Sequence, residues 1–203
     1  MSGAIDLRVV ELLSARLCHD LIGPVSAIGN GVELLADEEP EFARDALALV
    51  GDSARKASRS LQFYRFAYGF SGGSLGGPPP HQLAAELCEG SAVTCDYGAE
   101  VRALPLEQQK LACLLLALAG EALPRGGRLI VGAAAEGMQV EAIGEGPGPS
   151  AQIRDALALA TPVATLTSRT VGAYFAGLLA AALGSRVVLT DEPSGFRLTV
   201  VKA

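Results

Sequence analysis

Ala15-Arg16-Leu17-Cys18-His19-Asp20-Leu21-Ile22-Gly23-Pro24-Val25 is the stretch on which the reading of this 203-residue chain turns. It sits inside a longer run in which Val10, Leu13, Leu17, Leu21, Val25, Ile28, Val32 and Leu35 recur every three or four positions. That is the period of a helix buried along one seam, and it predicts one long helix over roughly residues 5–36. With Leu17 and Leu21 facing the core, His19 lies about 200° round the helix and points to solvent. Its own face carries Ala15, Gly23, Ser26 and Asn30, so no bulky neighbour screens the ring from a large partner. Gly23 and Pro24 stand mid-helix, where they cost about 1 and about 3 kcal/mol relative to alanine. Pro24 also lacks the N–H that would bond the Asp20 carbonyl, which predicts a bend beside the histidine. Local exceptions of this kind mark functional positions.

Outward from this helix, Asp37-Glu38-Glu39-Pro40 interrupts the pattern with acids beside a proline, the signal of a new helix start. Phe42, Ala46, Leu49, Ser53, Ala57, Ser60, Tyr64 and Ala67 then continue the spacing to about Tyr68, along a seam of smaller residues. The pair predicts an antiparallel helical hairpin. Two helices cannot cover both of their seams, so a second copy is expected to complete a dimeric four-helix bundle; the alternative is that the second half of the same chain covers the hairpin.

The run Phe70-Ser-Gly-Gly-Ser-Leu-Gly-Gly-Pro-Pro-Pro80 is too loose and too proline-rich to propagate a helix. The expected organisation is a hairpin over residues 1–70, a linker over 71–80 and a second unit over 81–203. The second unit is predicted to contain helices near 81–90, 106–123, 150–160 and 168–183. Strands are predicted near 93–97, 100–104, 127–133, 138–143, 185–190 and 196–201. Helices on one face of a mostly antiparallel sheet fit this order, so the fold class is α+β.

Composition excludes several function classes. The chain has 22 acidic residues against 16 Lys plus Arg, a net charge of −6, which argues against nucleic acid as a partner. Its longest apolar runs, Leu111 to Ala119 and Val171 to Leu183, fall short of the roughly 20 residues needed to cross a bilayer. The N-terminus, Met1-Ser-Gly-Ala-Ile-Asp-Leu-Arg, shows no cleavable apolar segment. Cys18, Cys88, Cys95 and Cys113 have no C-x-x-C spacing. A reduced cytoplasmic protein with no structural zinc and no membrane contact is expected.

A lone surface histidine is ordinarily just that, and His81 beside the prolines is read so. His19 differs in its downstream neighbours: an acid next, proline at plus five and a branched aliphatic at plus six. This combination resembles the H-box of two-component sensor kinases, H-[DE]-x-x-x-P-[LIV], whose histidine lies on the exposed face of a dimeric helical hairpin. Ala15 to Val25 together with Gly31-Val-Glu-Leu-Leu35 is most similar to the ChpT-like histidine phosphotransferases of alphaproteobacterial phosphorelays, and the likeness covers essentially the whole chain. The resemblance implies a C-terminal α/β sandwich like a histidine-kinase ATP-binding domain that has lost ATP binding.

Three nucleotide-binding elements of the kinases bear on that loss. The N-box asparagines, four apart, fall on Ala117 and Glu121. The D-x-G-x-G loop, whose aspartate accepts the adenine amino hydrogen, reads Gly144-Glu-Gly-Pro-Gly148. The G-x-G-L-G loop that cradles phosphates is replaced by Thr167-Ser-Arg-Thr-Val-Gly-Ala-Tyr-Phe-Ala-Gly177, with Tyr174 and Phe175 between its glycines. Negligible ATP affinity is expected, although Glu121 alone retains the chemistry to meet a cation.

The function implied is reversible phosphoryl transfer between His19 and receiver-domain aspartates, those of response regulators and of an upstream hybrid histidine kinase. Neutral imidazole is the nucleophile, and an ordinary histidine pKa near 6.5 leaves much of it neutral. No cofactor belongs to this chain; magnesium is expected on the receiver. Asp20, about 100° round the helix, orients the ring or meets the partner. Gly23 stands where related kinases carry the Thr or Asn that positions water, which implies transfer rather than hydrolysis. Residues 55–60 of the second helix are expected level with His19, so Arg16, Ile22, Gly23, Ser26, Arg55 and Arg59 form the candidate docking face, the arginines against an acidic receiver rim. A solvated basic stripe accounts for those arginines equally well. Two other classes stay open: an ATP-using kinase with an unusual nucleotide site, revealed by label from ATP alone, and a non-catalytic dimeric scaffold that binds receivers without His19 taking label.

Overall fold

The computed structural model describes residues 6–36, 40–69, 77–146 and 148–203. The apolar periods of the first segment become two long helices, α1 (Leu7–Ala36) and α2 (Pro40–Ala67), packed as an antiparallel hairpin. α1 runs through Pro24 as one helix. Close approach of the pair is permitted by Gly31: a Cβ there would stand 2.6 Å from Val50 Cγ2 and 3.2 Å from the Ala46 carbonyl oxygen. Ala46, Ser53, Ala57, Phe63 and Ala67 form the buried side of α2. The seam expected for α1 divides. Leu13, Leu17, Leu21 and Ile28 are partly covered, whereas Val10, Val25 and Val32 stay about half exposed in the single chain. Leu49 of the α2 seam is also exposed, and Phe42 has a side chain outside the described residues. One helix can cover only one side of its partner, so the remainder of an apolar stripe wider than that contact is left bare.

The second half comprises α3 (Pro80–Cys88), β1 (Val93–Tyr97), α4 (Ala99–Arg102), α5 (Leu106–Glu121), β2 (Gly127–Ala134), β3 (Gly137–Ile143), α6 (Ala151–Leu157), a 3₁₀ turn (Val163–Thr165), α7 (Val171–Ala182), β4 (Ser185–Glu192) and β5 (Gly195–Lys202). The strand expected at 100–104 is instead α4 and the turn after it. The sheet order explains why: it is β1-β2-β3-β5-β4, with β1 parallel to β2 and the other pairs antiparallel. A parallel pair needs a crossover, so residues 98–126 must leave the sheet and return over its face. The helices expected at 150–160 and 168–183 are shorter than predicted. Ser150 caps α6 by accepting from the Ile153 N–H, and the residues before α7 form a turn around Thr167 and Thr170.

Alternation along the strands places one row of side chains inside. Leu129, Ala142 and Phe196 lie opposite one another across β2, β3 and β5, as do Val131, Val140 and Leu198. All six are buried, covered by Leu111, Leu115 and Ala119 of α5 and Ala173, Ala176 and Ala180 of α7. The opposite face carries charge, including Arg197 with Glu141 and Glu192, and Arg128 with Asp96. Helices therefore cover one face only, and the α+β reading holds as a two-layer arrangement.

The base of the hairpin joins this core. Val9, Phe63, Phe66 and Ala67 are buried with the apolar residues of the second half. Arg8 donates to the Leu166 carbonyl oxygen at 3.2 Å, and the Tyr68 and Phe175 rings stand 5.4 Å apart. Of the linker expected at 71–80, residues 71–76 lie outside the described residues, and Pro80 already opens α3. Among the described residues no helix is long and apolar enough to cross a membrane.

Candidate functional site

His19 projects from the middle of α1 with its side chain 88% exposed, as the helical period required. Its Nδ1 lies 3.3 Å from Asp20 Oδ1, its one polar partner among the described residues. An ionised carboxylate only accepts, so this contact places the proton of the neutral ring on Nδ1 and leaves the lone pair of Nε2 facing solvent.

Asp20 is held from a second direction. Its Oδ2 accepts a hydrogen bond from the Tyr64 hydroxyl of α2 at 2.8 Å, and Arg16 Nε stands 4.0 Å from the same oxygen, one turn back on α1. Burial, then the hydrogen bond to Asp20 and its charge, drive the Tyr64 phenol far above its ordinary pKa, so it remains a donor. Arg16 itself is only 14% exposed. It pairs with Glu121 at the end of α5 and donates to the Arg169 carbonyl oxygen at 3.4 Å. Burial works against the Arg16 charge; Glu121, Tyr68 and Asp20 outweigh it and raise the guanidinium pKa. The Glu121 carboxyl is raised too, by burial at this contact against the pull of Arg16.

Arg16, His19 and Asp20 line one wall of an open cleft of about 1090 Å³ between the hairpin and the second half, with His19 on its rim. The opposite wall is built from Glu121 and from the loops preceding α6 and α7, including Gly148, Ser150 and Arg169. All three segments compared with nucleotide-binding elements thus border the same cleft. Glu121 is engaged by Arg16. The two glycines of the third segment have packing roles: a Cβ at Gly172 would meet the Arg16 guanidinium at 3.1 Å and the Tyr68 hydroxyl at 3.3 Å. At Gly177 it would lie 2.4 Å from the Leu157 carbonyl oxygen, so that glycine lets α7 approach α6.

The other candidates fall into three groups. Ile22 is 63% exposed, Ser26 is exposed, and a Cβ on Gly23 would meet nothing within 4 Å, so the face beside His19 is open. Arg16 belongs to the internal network and not to the free surface. The hairpin register sets Tyr64 beside Asp20, whereas Arg55 and Arg59 lie farther along α2, toward the end where Val50 meets Gly31. Arg59 pairs with Glu89 at 2.7 Å, beyond α3, and Arg55 pairs with Asp52 at 2.5 Å while remaining 61% exposed. His81 packs against Tyr97, with ring centroids 6.4 Å apart and no link to this cleft. Sequence reasoning misses Tyr64 as a site residue because it falls on the helical seam, where a tyrosine reads as core. It misses Arg169 because no period or motif ties that loop to α1.

A helical hairpin carrying an exposed, acid-flanked histidine and joined to a helix-covered mixed sheet defines a phosphotransfer architecture, and the chain belongs to the histidine phosphotransferase C-terminal domain family, whose model matches residues 80–194. It is 39% identical over 131 residues to the protein phosphotransferase ChpT of Brucella abortus (strain 2308), a match spanning 63% of this chain and 61% of the relative. It is also similar to a bacterial phosphotransferase of known structure, at 28% identity with a TM-score of 0.82, over 98% of each chain.

Proposed function

We propose that the protein is a histidine phosphotransferase, relaying a phosphoryl group between receiver-domain aspartates through His19 in the cytoplasm. The observation that carries this reading is the exposed His19 ring, with Asp20 on Nδ1 and Nε2 open, in a chain of this family. Phosphoryl transfer passes through a loose transition state, so its demands are alignment and neutralisation of charge rather than a strong base. The chain supplies the aligned nucleophile and a docking face; magnesium belongs to the receiver. Ile22, Gly23 and Ser26 offer a surface against which a receiver fits closely, and Arg55 adds a cation toward an acidic rim.

Nucleotide is not the phosphoryl source in this reading. Arg16 and Tyr68 crowd Gly172, and Glu121 is committed to Arg16, which leaves the cleft without a backbone phosphate cradle at that loop.

The hairpin is proposed to pair with a second copy. Leu7, Val10, Val25 and Val32 fall within about 60° on α1, about 140° from His19 on average, and all are exposed. Leu47 and Leu61 of α2 are exposed as well, and exposed apolar side chains on both helices of a hairpin suit an interface. Charge placed at Val25 (Val25→Glu) is expected to give a monomer by sedimentation.

The deciding experiment offers a phosphorylated receiver domain to the wild-type protein and to His19→Gln. Label on the wild type and none on the variant supports the relay. Label from ATP alone would replace it with a kinase; a receiver that binds yet never labels His19 would replace it with a scaffold.

A further inference from the structure

The relay reading leaves unexplained why a tyrosine hydroxyl from the neighbouring helix should be spent on a carboxylate beside the reacting histidine. Asp20 follows His19 directly, so its own rotamers offer several directions, only some of which bring Oδ1 to Nδ1. Tyr64 restricts that choice by donating to Oδ2 at 2.8 Å, which turns Oδ1 toward the ring at 3.3 Å. Tyr64 is itself braced: its ring lies 6.1 Å from Phe63 and 6.0 Å from Tyr68, and Tyr68 stands 5.4 Å from Phe175 of α7. An aromatic ladder therefore runs from the second half of the chain to the carboxylate next to His19.

We infer that Tyr64 is a positioning residue for phosphoryl transfer: by fixing Asp20 it holds the His19 ring as the Nδ1–H tautomer and keeps Nε2 unprotonated for attack. The inference rests on the relay reading for its reaction but concerns a property of the free protein. In the step itself the Nε2 lone pair forms the N–P bond as the P–O bond to the receiver aspartate breaks, and the leaving carboxylate keeps that electron pair. The proton on Nδ1 stays in place, so the phosphorylated ring carries positive charge, which Asp20 faces. Reverse transfer to a second receiver runs the same bonds backwards. An unanchored imidazole favours Nε2–H, the form that cannot attack through Nε2, so loss of the anchor lowers the competent fraction before any partner arrives.

Tyr64→Phe tests this while keeping the ring in its ladder. Nitrogen NMR of the full-length protein, at a pH where His19 is neutral, is expected to show wild type mostly Nδ1–H and the variant shifted toward Nε2–H. Transfer from a phosphorylated receiver is expected to slow about tenfold, the worth of one charge-assisted hydrogen bond, with the receiver concentration at half-saturation unchanged. Asp20→Asn should give the same spectral shift, and adding Tyr64→Phe to it should change nothing more. An unaltered tautomer ratio and rate in Tyr64→Phe would overturn the inference and leave the relay standing. Failure of wild type to accept phosphate would remove the relay, while the spectrum would still decide whether Tyr64 orders the ring.

Discussion

Arg16 on α1 and Glu121 at the end of α5, 105 residues apart in the chain, form an ion pair that ties the histidine-bearing helix to the second half. Arg16 is the more buried partner and also reaches Asp20 and the Arg169 carbonyl. Removing either side therefore has unequal consequences. Glu121→Gln is expected to change stability by less than about 1 kcal/mol, since burial already opposes the Glu121 charge and Arg16 keeps its other contacts. Arg16→Ala is expected to cost about 2–3 kcal/mol because it strands several acceptors together. Urea unfolding of the two variants checks the ranking, and equal costs would contradict it.

Arg55 and Arg59 separate into different roles. Arg55 is exposed and, among the described residues, pairs with Asp52 of its own helix, so Arg55→Glu is expected to slow receiver association, most at low salt, with thermal stability nearly unchanged. Arg59 is three-quarters covered and pairs with Glu89, so Arg59→Glu sets like charges together and lowers the melting temperature as well. Stopped-flow association rates against ionic strength, with melting curves of both variants, distinguish the two.

Gly23 occupies a helical position where a methyl group would meet nothing. Gly23→Ala should raise unfolding stability by about 0.5–1 kcal/mol through helix propensity alone. On the proposed docking face the same methyl is expected to slow transfer severalfold. A variant that is more stable and equally fast would show that the receiver does not pack there.

Alkaline pH tests the buried phenols. Tyr64, Tyr68 and Tyr97 are all raised above the ordinary value of 10.0, chiefly by burial. Below that value both states keep these protons; above it the unfolded chain releases them and the folded chain does not. The folded state then binds more protons, so stability falls as pH rises past 10, by up to about 1.4 kcal/mol per unit for each tyrosine. Tyr64→Phe should make that fall shallower, by up to about 1.4 kcal/mol per unit, in unfolding curves taken between pH 10 and 11.

The hairpin and the strand pairs are legible in the sequence because they are periodic: α1, α2 and the alternating rows of β2, β3 and β5 each repeat a pattern longer than one turn or pleat. The exposure of His19 comes from the same period. α4 reads as a strand because four residues, Ala99–Arg102, are too few to display a helical repeat, and only the parallel pairing of β1 with β2 forces the chain out of the sheet there. Arg16 and Arg59 look like surface cations in the sequence because their partners, Glu121 and Glu89, lie in elements whose docking no local pattern encodes.

What the amino-acid order determined alone is which residues share a helix face or a strand side, since backbone geometry sets those periods within a few residues. Which faces then meet, and so that Tyr64 reaches Asp20 across the hairpin and Glu121 reaches Arg16 across the cleft, was decided only in the tertiary structure. Such contacts depend on the packing of whole elements, where Gly31 sets how closely α1 and α2 approach and a half-buried aromatic ladder ties the end of α2 to α7.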